Sequence, residues 1–167
     1  IEDETLTNTD ETGDASAAAA TTTSIASQYT PITNANIHEA VTECLGYEPL
    51  AGECPQSQYG VMSDWDVSRV TNMDQLFYDP PRVGGDKMKS FDGMLGDWDV
   101  SSVTSFEKMF KNANAFKGTN LYNWDVSSAT NMHGMFEHAE SFVARISGWN
   151  VGNVKTMATM FQNALSF

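Results

Sequence analysis

From residue 61 onward the apolar positions recur in phase. Tryptophans stand at 65, 98, 124 and 149, giving spacings of 33, 26 and 25. Three residues before each is an apolar position (Met62, Leu95, Leu121, Ile146), and two after is a valine (Val67, Val100, Val126, Val151). This β-favouring stretch predicts a short strand. A set at helical spacing follows: Met73, Leu76 and Phe77 in the first copy, then Phe106, Met109, Phe110, Ala113 and Phe116 in the second. The third copy has Met132, Met135, Phe136, Ala139 and Phe142, and the fourth Met157, Met160, Phe161, Ala164 and Phe167. These sets predict one short helix per copy.

The unit is 25 residues long. In the first copy Phe91 follows Phe77 by fourteen residues where the other copies use six, an eight-residue insertion that makes 33 from 25 + 8. One extra residue before Leu121 makes the spacing of 26. A unit this short cannot bury its apolar face alone, but copies stacked on one another bury a continuous core. The fold class expected is therefore an α/β solenoid. Each right-handed coil holds one short parallel strand (Ile/Leu-x-x-Trp-Asp-Val) and one short helix. Trp65, Trp98, Trp124, Trp149 and Val67, Val100, Val126, Val151 form the core ladder.

Two segments precede the repeats. In residues 33–60, apolar positions Ile37, Ala40, Val41, Cys44 and Leu45 predict a capping helix, N-capped by Thr33 or Asn34 and stopped by Gly46. Residues 1–32 are rich in Thr, Ala, Ser and acid and poor in large apolar residues, so they read as an extended arm. Its end, Ser24 to Ile32, is strand-like, with Ile25 and Tyr29 on one face. The division is thus 1–32 arm, 33–60 cap and disulfide loop, and 61–167 four-coil array.

The strings "WDVSSVT" and "WDVSSATNMHGMF" resemble the BspA-like surface-protein repeat, a leucine-rich-repeat-like family with units of about 25 residues. "ITNANIHEAV" leading to "YGVMSDWDVSRVTNM" is similar to the entry that precedes such arrays. The resemblance covers about residues 32–167 and implies a cell-surface or extracellular location with adhesive or structural roles. The departures are the insertion, the cysteine pair and an eroded fourth copy reading Trp149-Asn150-Val151-Gly152.

Charge narrows the partners. The chain carries 9 Lys+Arg against 22 Asp+Glu, a net charge of −13, and no Lys or Arg precedes Arg69. Such an excess repels phosphate backbones and anionic bilayers, which argues against nucleic-acid binding. No apolar run approaches the ~20 residues of a membrane span. The chain opens at Ile1, which fits a processed, secreted protein. Cys44 and Cys54 flank a short loop. A disulfide in an oxidising compartment is the favoured reading, and two buried free thiols compete with it.

The residues following the tryptophans, Asp66, Asp99, Asp125 and Asn150, fit a turn and cap ladder, each accepting backbone N–H groups beside Ser68, Ser101 and Ser127. Asn serves that role as well as Asp. A Ca²⁺ ladder completed by Asp64 and Asp97 is the sharper reading, but no Ca²⁺-loop pattern supports it, so no cofactor is expected. His38, His133 and His138 have no metal spacing, and no nucleophile or phosphate-loop motif occurs, so the chain does not read as an enzyme.

The function expected is an extracellular structural protein that self-assembles head to tail into a filament. Ile25, Tyr29 and Ile32 of one subunit's arm would pack on Met160, Phe161, Ala164 and Phe167 of its neighbour. The alternative is a monomeric adhesion module that recognises a host or matrix protein or a glycan through a solenoid face or the insertion at Tyr78 to Ser90.

Overall fold

The structure is a computed structural model, and it describes residues 29–78 and 87–167. Helix α1, Ile37–Tyr47, buries Ile37, Ala40, Val41, Cys44 and Leu45 on one face. It begins after Asn36, not at Thr33 or Asn34. Thr33 closes the entry turn instead, its N–H donating to Asn36 Oδ1 at 2.7 Å. Gly46 does not stop the helix, which runs one residue further to Tyr47. Glu48 then turns the chain: its carboxylate accepts the N–H groups of Ala51 at 2.6 Å and Gly52 at 3.1 Å. A second helix, α2, is the four-residue Lys87–Ser90.

The α/β solenoid of strands and helices is not what forms. Among the described residues there is no strand, and the helices are α1, α2 and the 3₁₀ turns Met62–Asp64 and Leu121–Asn123. The Trp-containing stretches predicted as strands turn instead, two of them through those 3₁₀ segments. The Met/Phe stretches predicted as helices carry the coil-to-coil contacts. Their N–H groups divide between two kinds of partner. One set closes three-residue turns, as Met109 to Phe106 O, Ala113 to Phe110 O and Phe116 to Ala113 O. The other set reaches the next coil, as Lys108 to His133 O, Phe110 to Met135 O and Asn112 to Glu137 O. Isolated parallel bridges Asn72↔Ser105, Ser105↔Asn131 and Asn131↔Thr156 begin each ladder.

Left-handed residues explain why no helix forms there. Gln75, Lys108, Gly134 and Thr159 share one position of successive coils, with φ between 53° and 61°. Asn112, His138 and Asn163 share another, with φ of 58–63°. A positive φ breaks a right-handed helix, and at Gln75, Lys108, Asn112, Gly134 and His138 the residue's own N–H is given to a carbonyl of the neighbouring coil.

Rings fill the interior. Phe77, Phe110, Phe136 and Phe161 stack in one column with centroids 5.2, 5.6 and 5.8 Å apart. Phe91, Phe116, Phe142 and Phe167 form a second, and the two columns touch within each coil at 3.9–4.6 Å. The spacing follows the rise between coils, so near-parallel offset stacks replace the usual edge-on packing.

Candidate functional site

The tryptophans lock one coil to the next. Trp98 Nε1–H donates to Met62 O at 2.9 Å, Trp124 to Leu95 O at 2.8 Å, and Trp149 to Leu121 O at 2.9 Å. Each acceptor is the residue three before the preceding tryptophan. Trp65 has no coil before it, and Gly60 O in the cap accepts its indole at 3.1 Å. Val67, Val100 and Val126 are buried beside this column, while Val151 is 38% exposed.

Asn34 plays a matching part at the threonine ladder. Thr104 N–H donates to Thr71 O, Thr130 N–H to Thr104 O and Lys155 N–H to Thr130 O. At the first coil, Thr71 N–H donates to the side-chain Oδ1 of Asn34 at 2.9 Å, and Asn34 Nδ2–H donates to Thr71 Oγ1 at 2.9 Å. A side-chain amide thus stands in for the carbonyl of a preceding coil. Only the cross-coil phase of Thr71, Thr104 and Thr130 hinted at a ladder that needed such an end.

The residues after each tryptophan make local turns. Asp66 Oδ1 accepts Ser68 N–H at 3.0 Å, Asp99 Oδ1 accepts Ser101 N–H at 3.1 Å, Asp125 Oδ1 accepts Ser127 N–H at 3.0 Å, and Asn150 Oδ1 accepts Gly152 N–H at 3.1 Å. The Ser68 hydroxyl and N–H hold the Asp66 carboxyl below its ordinary range, and Ser127 does the same for Asp125. Among the described residues no group of three or more His, Cys, Asp or Glu side chains is placed to hold a metal ion.

A second polar row crosses the coils on the ladder wall. Asp74 accepts the Ser105 hydroxyl and the Glu107 N–H, Glu107 accepts Lys108 Nζ–H at 2.8 Å, and Asn131 Nδ2–H reaches Glu107 at 3.1 Å. These donors hold the Glu107 carboxyl low. Burial pushes Glu137 up, but the Lys111 ammonium at 2.8 Å, with His138 and Thr159, leaves it below its ordinary value. Each of these carboxylates has donors, so the row braces the coils.

Cys44 and Cys54 form a disulfide with Cα atoms 5.3 Å apart, tying the loop back onto α1. Where that loop meets the first coil lies a hollow of about 430 Å³. Tyr59 and Trp65 line it, their rings edge to face at 6.2 Å, with Asp64, Asp66 and Arg69 around it. Tyr29 also lines it and is 39% exposed. Three separated segments build this hollow, and no single motif announces it.

The residues expected to meet across a head-to-tail contact differ in their exposure. Ile25 lies outside the described residues. Ile32 and Met160 are buried, Phe161 and Ala164 are half-buried, and Phe167 is 58% exposed. Among the described residues no helix is long and apolar enough to cross a membrane.

No curated protein and no solved structure matches the chain. A family described as "Mycoplasma protein of unknown function, DUF285" matches residues 52–167, the array together with the loop before it. That is well over half of the sequence, and the chain belongs to this family.

Proposed function

We propose that the protein is a cell-surface or extracellular module that acts by binding, in the manner of the BspA-like repeats it resembles, rather than by catalysis. The observation that carries this reading is the way the recurring residues are used. Trp, Val, Met and Phe fill the core, Asp and Ser close turns, and Thr and Asn bridge coils, so the repeat itself is consumed by structure. What differs from coil to coil reaches the surface at the position shared by Asp92, Lys117 and Val143, half-buried in the first and exposed in the other two. A rigid scaffold with a variable exterior is suited to recognition. The disulfide supports an oxidising environment. Two measurements test the reading: surface labelling of intact producing cells, and saturable adhesion of the purified chain to immobilised matrix proteins and glycans. A protein confined to the cell interior, or one that adheres to none of these, overturns it.

Self-association is the second reading. Val151, Met157, Leu165 and Phe167 each expose apolar surface on the coil at 145–167. In that reading the 1–32 arm of one copy meets this surface on the next. Sedimentation velocity across a range of concentrations, with and without residues 1–28, tests it. A monomer at every concentration refutes it.

A further inference from the structure

The hollow between the cap and the first coil has the composition of a small-molecule site. We propose that it binds the neutral pyranose ring of a glycan, a proposal that rests on the surface-binding reading above and names its ligand. Its volume, about 430 Å³, falls within the ~300–1,000 Å³ usual for ligand pockets.

The floor and one wall are aromatic and held in place. Trp65 is pinned on two sides, its indole N–H on Gly60 O and its ring stacked on Trp98 at 6.1 Å. Tyr59 abuts it edge-on. Tyr29 lies against Gly60, where an added Cβ would come 3.0–3.1 Å from the ring carbons. Gly60 also has φ +74°, so glycine is required there twice over. With one side of Tyr29 on the backbone and 39% of the residue exposed, an aromatic surface is left for a ligand. The C–H face of a sugar ring packs on such surfaces.

The rim is planar and polar. Asp64 and Asp66 each have one carboxylate oxygen engaged locally, by Ser63 and Ser68, leaving the other to accept. Arg69, exposed beside them, carries donors only. Charge selects among ligands. A cation meets the guanidinium, and an anion meets two carboxylates on a chain of net charge −13. Sugar hydroxyls donate to carboxylates and accept from a guanidinium at once, so both signs become useful.

Saturation-transfer NMR on the intact chain provides the test. The probes are methyl glycosides of neutral hexoses and N-acetylhexosamines, with a sialoside, choline and a proline-rich peptide as competitors. Transfer to the ring protons of at least one neutral glycoside is expected, with affinity about tenfold weaker in Tyr29→Ala and again in Arg69→Ala. Both residues lie at the surface, and far-ultraviolet circular dichroism checks that the variants fold. Asp64→Asn gives an independent check, with weakened binding again expected. The proposal is overturned by transfer to no neutral glycoside, by binding that all three variants retain, or by transfer confined to the charged probes or the peptide. Surface adhesion that persists undiminished in the Tyr29→Ala, Arg69→Ala double variant removes this site and leaves the broader binding reading intact. Adhesion absent from the wild-type chain removes that reading itself.

Discussion

The indole N–H bonds between coils give a sharp test of how the array is held in register. Trp124 is 3% exposed, and its Nε1–H donates to Leu95 O at 2.8 Å. Leu95 O also accepts the backbone N–H of Trp98 at 3.2 Å, so it is not orphaned when the indole is removed. The loss is then that of one net hydrogen bond, ~0.5–1.5 kcal/mol, rather than the larger penalty of an unsatisfied carbonyl. Trp124→Phe also leaves unfilled volume of about 40 Å³, costing ~1 kcal/mol at about 24 cal/mol per Å³. The expected destabilisation is ~2 kcal/mol, or a midpoint lower by roughly 6 °C for a chain of this length. Urea titration measures it. Replacing Trp124 with benzothienylalanine, which keeps the shape and lacks the donor, isolates the bond and is expected to cost ~1 kcal/mol. A benzothienyl chain as stable as the wild type refutes the register role and leaves only ring packing.

Other expectations follow from single positions. Gly134→Ala, at φ +61°, is expected to destabilise by ~1–2 kcal/mol, whereas Thr159→Gly at the equivalent position, φ +57°, is expected to stabilise by about 1 kcal/mol. Changes of the same sign in the two melts contradict the left-handed column. Removing the Cys44–Cys54 bond by the double change to Ala is expected to cost ~3 kcal/mol from the loop it closes, read as a lowered denaturant midpoint. The Glu43, Glu48, Glu107 and Glu137 carboxyls are held below their ordinary values in the fold. A depressed folded pKa stabilises above the unfolded value, ~4.3 for Glu, and that stability is lost as pH falls through the folded values. Stability measured from pH 6 down to pH 3 is therefore expected to fall below about pH 4.5. The Glu107→Gln, Glu137→Gln chain is expected to lose less over that range. An equal acid loss in both chains assigns the effect elsewhere.

The period was legible because tryptophan and phenylalanine are too large to move out of phase in a stacked core. The same 25-residue phase that sets Trp124 and Trp149 apart in sequence stacks their rings at 6.3 Å. What sequence misassigned was the backbone between the anchors. Phe106, Met109, Phe110, Ala113 and Phe116 have helical spacing, but a run of three-residue turns places apolar side chains inward at nearly the same intervals. The deciding residues, Lys108 and Asn112, take positive φ without being glycine. Lysine in particular carries no turn signal, so only the neighbouring coil's carbonyls reveal why it is held there. The strand expectation failed for a related reason: Met62–Asp64 and Leu121–Asn123 are too tightly turned to present a row of N–H groups to the coil above. The roles of Asn34, expected as a helix cap, and of Gly60 were not legible because what they satisfy lies far along the chain or in a side chain, Thr71 for one and the Trp65 indole for the other.

These two substitutions also bear on where recognition sits. A coil inside the array meets equivalent coils above and below, so its tryptophan lies over another coil's carbonyl and its ladder is paired on both sides. At the first coil the neighbour is the cap, which copies the hydrogen bonds of a coil without copying its shape. Asn34 supplies a side-chain oxygen where a backbone carbonyl would be, and Gly60 supplies the indole acceptor on a backbone with φ +74°. Polar demand is met, but the surfaces do not coincide, and the mismatch leaves the hollow against Tyr59 and Trp65. A stack of equivalent coils would close such a gap. The junction of unlike parts keeps it open, and it does so beside charges of both signs at Asp64, Asp66 and Arg69 rather than over bare core.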